Sequence, residues 1–354
     1  VVLTGRHVAF LGWSPDGSRY AIISDSAVWP VAHLFDRSGT EVGSVAGAGL
    51  YGFAWLDSSR YVFLSNQSDG WATSLGRVGS SEVTRLGQYD QLVPGRTGSS
   101  ALTLNTTGDP SVATTHQYVV LSADGSVSEP RDGDPLAWSR DGSLLAVYHA
   151  TGLSPAPSGF EPATLGSLEV VRASGERVAS TQKLAFGTPN AAFSPDGARL
   201  AFLYNEQPLT GAAQIAVLEI RTGHVTIIPQ VGSFTWASND QLLFAYTSTD
   251  YGKTPSAIMA WSAATGRVTT YGPGDTVGAS GQGTVVIGSD TTHVFTWTTT
   301  SGGSTRSGTF TLGYHLGLGS WTPDVSWSPD GSSLILTVGD WNNGTVMDAV
   351  LFRP

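Results

Sequence analysis

The stretch Trp13-Ser14-Pro15-Asp16-Gly17-Ser18 is written again, nearly letter for letter, at three later places. These are Trp138-Ser139-Arg140-Asp141-Gly142-Ser143, Phe193-Ser194-Pro195-Asp196-Gly197-Ala198 and Trp327-Ser328-Pro329-Asp330-Gly331-Ser332. Two eroded copies, Trp55-Leu56-Asp57-Ser58-Ser59 and Trp236-Ala237-Ser238-Asn239-Asp240, lie between them. Each copy is a turn with a mechanism: Pro presets φ, Asp bonds back onto the chain, and Gly supplies a positive φ. An apolar strand follows, as in Arg19-Tyr20-Ala21-Ile22-Ile23 and Arg199-Leu200-Ala201-Phe202-Leu203.

Outward from these turns the rest of a unit can be read. The two longest intervals between copies, 55 to 138 and 236 to 327, each leave room for one more unit. Ala101-Leu102-Thr103-Leu104 and Thr284-Val285-Val286-Ile287 supply strands for them, so the units centre near 13, 55, 93, 138, 193, 236, 278 and 327. A third strand and a second turn recur, as at Asp36-Arg37-Ser38-Gly39, Ala123-Asp124-Gly125, Ala173-Ser174-Gly175 and Ala264-Thr265-Gly266, followed by a short fourth strand such as Val225-Thr226-Ile227-Ile228. Four antiparallel strands in about 44 residues, repeated along the chain, predict an all-β fold: a single closed β-propeller domain over 1–354. Eight four-stranded blades are expected, with seven as the other count. The last unit ends on a third strand, Val346 to Phe352, and Val1-Val2-Leu3-Thr4 reads as its missing fourth strand. Their pairing closes the ring without an open sheet edge.

The recurring Trp/Phe-Ser-Pro-Asp-Gly followed by an apolar strand resembles the WD40-like, TolB-type propeller repeat. The resemblance runs over nearly the whole chain and is weakest at 88–110 and 272–292. It implies a fold rather than an activity, because the same repeat serves protein-docking modules, peptidase gating domains and some polysaccharide lyases. With the low charge, it also implies a secreted, periplasmic or cell-envelope protein, and the Lys-poor, Arg-using composition points to a bacterium.

Composition removes several classes of function. The formal net charge is −10, and the only lysines are Lys183 and Lys253, which argues against nucleic acid or an anionic membrane surface as partner. No apolar run approaches the ~18 residues of a membrane-spanning helix. The absence of cysteine excludes disulfides, thiolate metal sites and a Cys nucleophile. No G-x-S-x-G elbow and no H-x-H or H-E-x-x-H spacing occurs, so neither an α/β-type serine hydrolase nor a local zinc motif is indicated. No cofactor is predicted.

The turn aspartates Asp16, Asp141, Asp196 and Asp330 are read as structural, and Trp13, Trp55, Trp138, Trp236 and Trp327 as core. In a propeller the connections from strand two to three, and from one blade to the next, share the end opposite those turns. Here they are the long and variable ones, so a ligand is expected there. Trp29, Asp69, Trp71, Asp250, Tyr251, Trp321, Asp340 and Trp341 fall in or beside these connections. Trp and Tyr beside Asp suit sugar rings, whose C–H faces stack on aromatics while their hydroxyls need polar partners; a protein-binding face has the same enrichment. The same connections are rich in acids, Asp25, Asp90, Asp132, Asp134, Asp275, Asp290 and Asp324 among them. Such a surface repels polyuronates and favours a basic partner, a neutral glycan or a Ca²⁺-like ion. His7, His33 and His315 belong to units that adjoin if the ring closes, and they are the weak candidates for a catalytic base. The expectation is therefore a binding propeller for a protein or neutral glycan, the alternative being a glycan-active hydrolase or lyase at the channel mouth.

Overall fold

The computed structural model describes residues 3–25, 30–46, 50–67, 70–104, 116–153, 164–181, 184–186, 190–204, 214–228, 233–246, 257–274, 276–288, 294–301, 304–311, 324–338 and 347–353. Every regular element among them is a β-strand. The strands form seven antiparallel sheets of the propeller type, and one sheet is far larger than the others.

Two compact units divide the chain. One comprises Val1–Leu50, Arg77–Ser81 and Gly232–Pro354, the other Tyr51–Gly76 and Glu82–Val231. The first unit holds the largest sheet, seven strands in the order 324–327, 334–338, 347–352, 3–13, 19–25, 30–36 and 41–46, together with four-stranded sheets 234–273 and 276–311. The strand Leu3–Trp13 is the hinge of the large sheet. Its residues Leu3, Thr4 and Gly5 pair with Ala349, Asp348 and Met347, and from Arg6 onward it pairs with the strand Arg19–Asp25. The N-terminal strand thus completes the last sequence unit, as expected. It also corrects the count of eight: because one unbroken strand serves the first and last units, they merge into a single sheet, and the sheets number seven. Tyr20, Ile22 and Phe35 from one half of this sheet form a buried cluster with Ile335 and Ala349 from the other.

The second unit holds the sheets 50–87, 89–132, 134–186 and 191–228. Three have four strands; sheet 134–186 gains a fifth, Leu184–Phe186, paired with Thr164–Arg172. Inward-facing apolar residues alternate along the strands and pack one sheet on the next. Leu64, Tyr89, Leu102 and Leu121 form one such seam, Tyr118, Trp138, Leu145 and Val147 another, and Tyr148, Leu168, Phe202 and Leu218 a third. Each large buried side chain in these seams is worth about 1.5–3 kcal/mol relative to exposure.

The repeat turns are nearly superimposable in their bonding. Ser14, Ser139, Ser194 and Ser328 are fully buried. Their hydroxyls donate to Asp16, Asp141, Asp196 and Asp330 at 2.6–2.7 Å. Each hydroxyl also accepts the N–H that opens the next strand, as Arg19 N–H does at 2.9 Å. Gly17, Gly142, Gly197 and Gly331 have φ of 68–70°, the conformation for which glycine stands at that place.

Candidate functional site

At the connection end of the sheets, several ionisable side chains of the described residues meet where sheet 89–132 hands over to sheet 134–186. The strand Gln117–Leu121 pairs with Arg131–Asp132, setting Gln117 opposite Asp132 and Tyr118 opposite Arg131. The ladder continues one residue further, since Gly133 N–H donates to the His116 carbonyl at 2.7 Å. Gly133 then turns the chain into the next sheet with φ 114°. A Cβ on it would lie 2.4 Å from Val147 Cγ1 and 2.9 Å from His149 Cε1, so backbone and imidazole approach as only glycine permits.

This handover brings two imidazoles to two carboxylates. His116 Nδ1 is hydrogen-bonded to Asp134 Oδ1; the imidazole is 42% exposed and the carboxylate 20%. His149 Nε2 lies 3.3 Å from Glu169 Oε2, and Arg177 bridges the other Glu169 oxygen at 3.1 Å. Gln117 Nε2 donates to Asp132 at 3.0 Å, and Arg131 donates to the Ala173 carbonyl at 2.8 Å. Burial, then the Asp134 charge, pushes the Tyr148 hydroxyl up to about 12. Burial also raises the Tyr118 hydroxyl, against the hydrogen bond and charge of Arg131, while the Glu169 charge adds to the rise. Tyr118 therefore stays protonated at neutral pH, beside Arg131 and Glu169. A carboxylate fixed on one imidazole nitrogen sets the ring's tautomer and orientation, as Asp134 does at His116.

The sequence-expected residues are distributed differently. Trp29, Asp69, Asp250, Tyr251, His315, Trp321, Asp340 and Trp341 lie outside the described residues. Trp71 is the second residue of the strand Gly70–Arg77, directly after its connection, and His7 lies within Leu3–Trp13. His33 is held inside its own sheet: its Nε2 bonds Ser24 Oγ at 3.1 Å and its Nδ1 bonds Glu41 at 3.0 Å. Among the described residues no group of three His, Asp or Glu is placed to hold a metal ion. Sequence reasoning placed Asp134 among the acids of the connections but missed its pairing with His116 and that of His149 with Glu169. The partners are 18 and 20 residues apart, separations that match no motif and follow from strand register.

No family model matches the chain, and no curated protein matches it. Solved structures do. Sqt1 from Chaetomium thermophilum is similar over 100% of this chain and 98% of its own, at 13% identity and a TM-score of 0.55. Oligogalacturonate lyase from Vibrio parahaemolyticus is similar over 99% and 91%, at 10% identity and a TM-score of 0.54. The repeat turns and this end-to-end likeness agree. The chain has the β-propeller fold. At such identities the likeness carries the fold alone. The propeller spans 61% of TolB from Acinetobacter baumannii, 65% of a eukaryotic initiation factor and 45% of a prolyl endopeptidase.

The aromatic residues of the propeller sort by position. Trp55, Trp138, Trp236, Trp261 and Trp327 are buried, and Trp13 and Trp297 pack half-buried against the clusters of the first unit. Trp29, Trp321 and Trp341 lie outside the described residues, and Trp71 opens the strand Gly70–Arg77.

Proposed function

We propose that this chain is a binding propeller, secreted or facing the cell envelope, that holds a neutral glycan or a protein at the connection end of its sheets. One feature of the sequence carries the reading: Trp29, Trp71, Trp321 and Trp341 fall in or beside the connections, with acids as neighbours. Asp69-Gly70-Trp71 and Asp340-Trp341-Asn342-Asn343 have this make-up. Stacking on an indole with hydroxyls bonded by carboxylate and amide groups is the chemistry that retains an uncharged sugar. The same residues serve as aromatic anchors in protein recognition. The test is titration with neutral and acidic polysaccharides, followed by tryptophan fluorescence, in the wild type, Trp71→Ala and Trp341→Ala. Neutral ligands are expected to shift the emission of the wild type only.

A second reading has its own observation. The His116–Asp134 pair is an exposed, carboxylate-oriented imidazole, which suits a general base acting on a glycan. The partial use of Glu169 by both His149 and Arg177 gives a second polar group beside it. Cleaved products that disappear in His116→Gln would favour this reading over simple binding.

A further inference from the structure

The fourth strands of the sheets are edges, and all but one of them are built to resist further pairing. Arg131–Asp132 is two residues long, and Arg177–Ser180 and Val225–Ile228 are four each. Glu41–Ala46, Val83–Gly87 and Val268–Pro273 pair through register shifts, and the last of these ends in proline. Short, bulged or proline-ended strands are poor templates for another chain. Ser304–Thr311 departs from this pattern. It pairs with Val294–Ser301 at all eight positions without a shift, holds no proline, and has Arg306 as its one charged residue. Among the described residues it ends the strand order of its sheet, and apart from Gly308 and Phe310 its residues are exposed.

One bond fixes which backbone groups this edge presents. Thr300 N–H donates to the Gly283 carbonyl at 3.2 Å, on the side of its strand away from Ser304–Thr311. Backbone groups alternate sides along a strand. Ser301, Thr299, Trp297 and Phe295 therefore bond across to Ser304, Arg306, Gly308 and Phe310, their register partners. Thr305, Ser307, Thr309 and Thr311 then turn their N–H and C=O groups to the open side. Their side chains form one face with those of the neighbouring strand: Thr300 and Thr305 hydroxyls lie 3.3 Å apart, and Thr298–Ser307 and Thr296–Thr309 follow in register. On the other face Trp297 covers Gly308, where a Cβ would lie 2.8 Å from the indole.

We propose that this edge pairs antiparallel with the same edge of a second copy of the chain, about a two-fold axis at Gly308. The strand is complementary to itself in that register, which is what an isologous contact requires. Thr305 stands opposite the partner's Thr311 and Ser307 opposite the partner's Thr309, so every open-side backbone group from 305 to 311 finds a counterpart. The hydroxyl pairs of the sheet continue across the contact. Arg306 stands opposite the partner's Phe310, whose half-buried ring its apolar stem can cover. The two Arg306 positions lie four residues apart along the strands, about 13 Å. An axis at Ser307 would bring them to about 7 Å and leave Thr311 unmatched. The contact uses the edge of one sheet and is independent of the binding reading above.

The test is sedimentation velocity of the whole chain over about 1–500 μM. A reversible monomer–dimer equilibrium is expected. Ser307→Pro removes an N–H on the open side and no bond within the sheet, so it is expected to weaken the dimer at least tenfold while leaving the circular dichroism unchanged. Register is read by cross-linking, because the chain has no cysteine of its own. An equimolar mixture of Ser307→Cys and Thr309→Cys is expected to form a disulfide-linked dimer under mild oxidation, severalfold more than either variant alone, whose thiols would lie too far apart along the strands. This second measurement decides if Ser307→Pro does not fold. A monomer at every concentration, a dimer that Ser307→Pro leaves intact, or cross-linking of the mixture no greater than that of the single variants would overturn the proposal.

Discussion

Trp13 Nε1–H donates to the Ser326 carbonyl at 3.3 Å, joining residues 313 positions apart in the chain. The same indole packs on Tyr20, with ring centroids 4.9 Å apart. Arg37 reinforces this seam by bonding Asp330 at 2.7 Å. One residue thus couples the beginning of the large sheet to its far end. Trp13→Ala is expected to cost about 3 kcal/mol in urea unfolding, and Trp13→Phe, which keeps the ring and loses the hydrogen bond, about 1 kcal/mol. A Trp13→Phe variant as stable as the wild type would contradict a role for the indole N–H.

The repeat turns make stability depend on acid. Burial raises the Asp16 and Asp141 carboxyls, but hydrogen bonds from Ser14 and Ser18, and from Ser139 and Ser143, outweigh it and hold both below the ordinary aspartate value. Asp330 is lowered in the same way, with Arg37 adding to the effect of Ser328 and Ser332. A carboxyl whose folded pKa lies below its unfolded one stabilises the fold fully above the unfolded value, about 3.9, and loses that contribution as pH falls through the folded value. Melting temperature is therefore expected to fall steeply below about pH 4. Asp141→Asn should melt lower at neutral pH and show a shallower acid decline. An acid decline parallel to that of the wild type would count against the turn as its source.

Gly133 and Gly79 separate backbone strain from crowding. Both have positive φ, 114° and 76°, but a Cβ on Gly79 would meet nothing within 4 Å. Gly79→Ala is expected to cost roughly 1 kcal/mol, from the backbone alone. Gly133→Ala must also displace Val147 and His149, so it is expected to cost clearly more and to move the His149 ring signals in NMR spectra. Equal costs would mean that the handover between the sheets has room to spare.

What could be read in the sequence follows from how local its causes are. The turns at Asp16, Asp141, Asp196 and Asp330 use bonds within five residues, so a short motif reports them, and the strands that follow inherit their alternation. The pairing of Leu3 and Thr4 with the last strand was legible too, because the final unit lacked a strand. The merging of two units into one sheet was not: it depends on Leu3–Trp13 continuing unbroken through its register shifts. His149–Glu169 and His116–Asp134 depend on register and on a glycine that lets the chain pass close, neither of which leaves a spacing. His33, singled out for its place in the ring, is bonded to Ser24 and Glu41 of its own sheet, bonds that likewise follow from register.

The measurement that tests the binding account most directly is mass spectrometry of polysaccharide mixtures after incubation with the chain, alongside the fluorescence titration. The account predicts saturable emission changes with neutral polysaccharides, their loss in Trp71→Ala or Trp341→Ala, and intact ligand throughout. New reducing or unsaturated ends, abolished in His116→Gln, would contradict it and make the chain an enzyme.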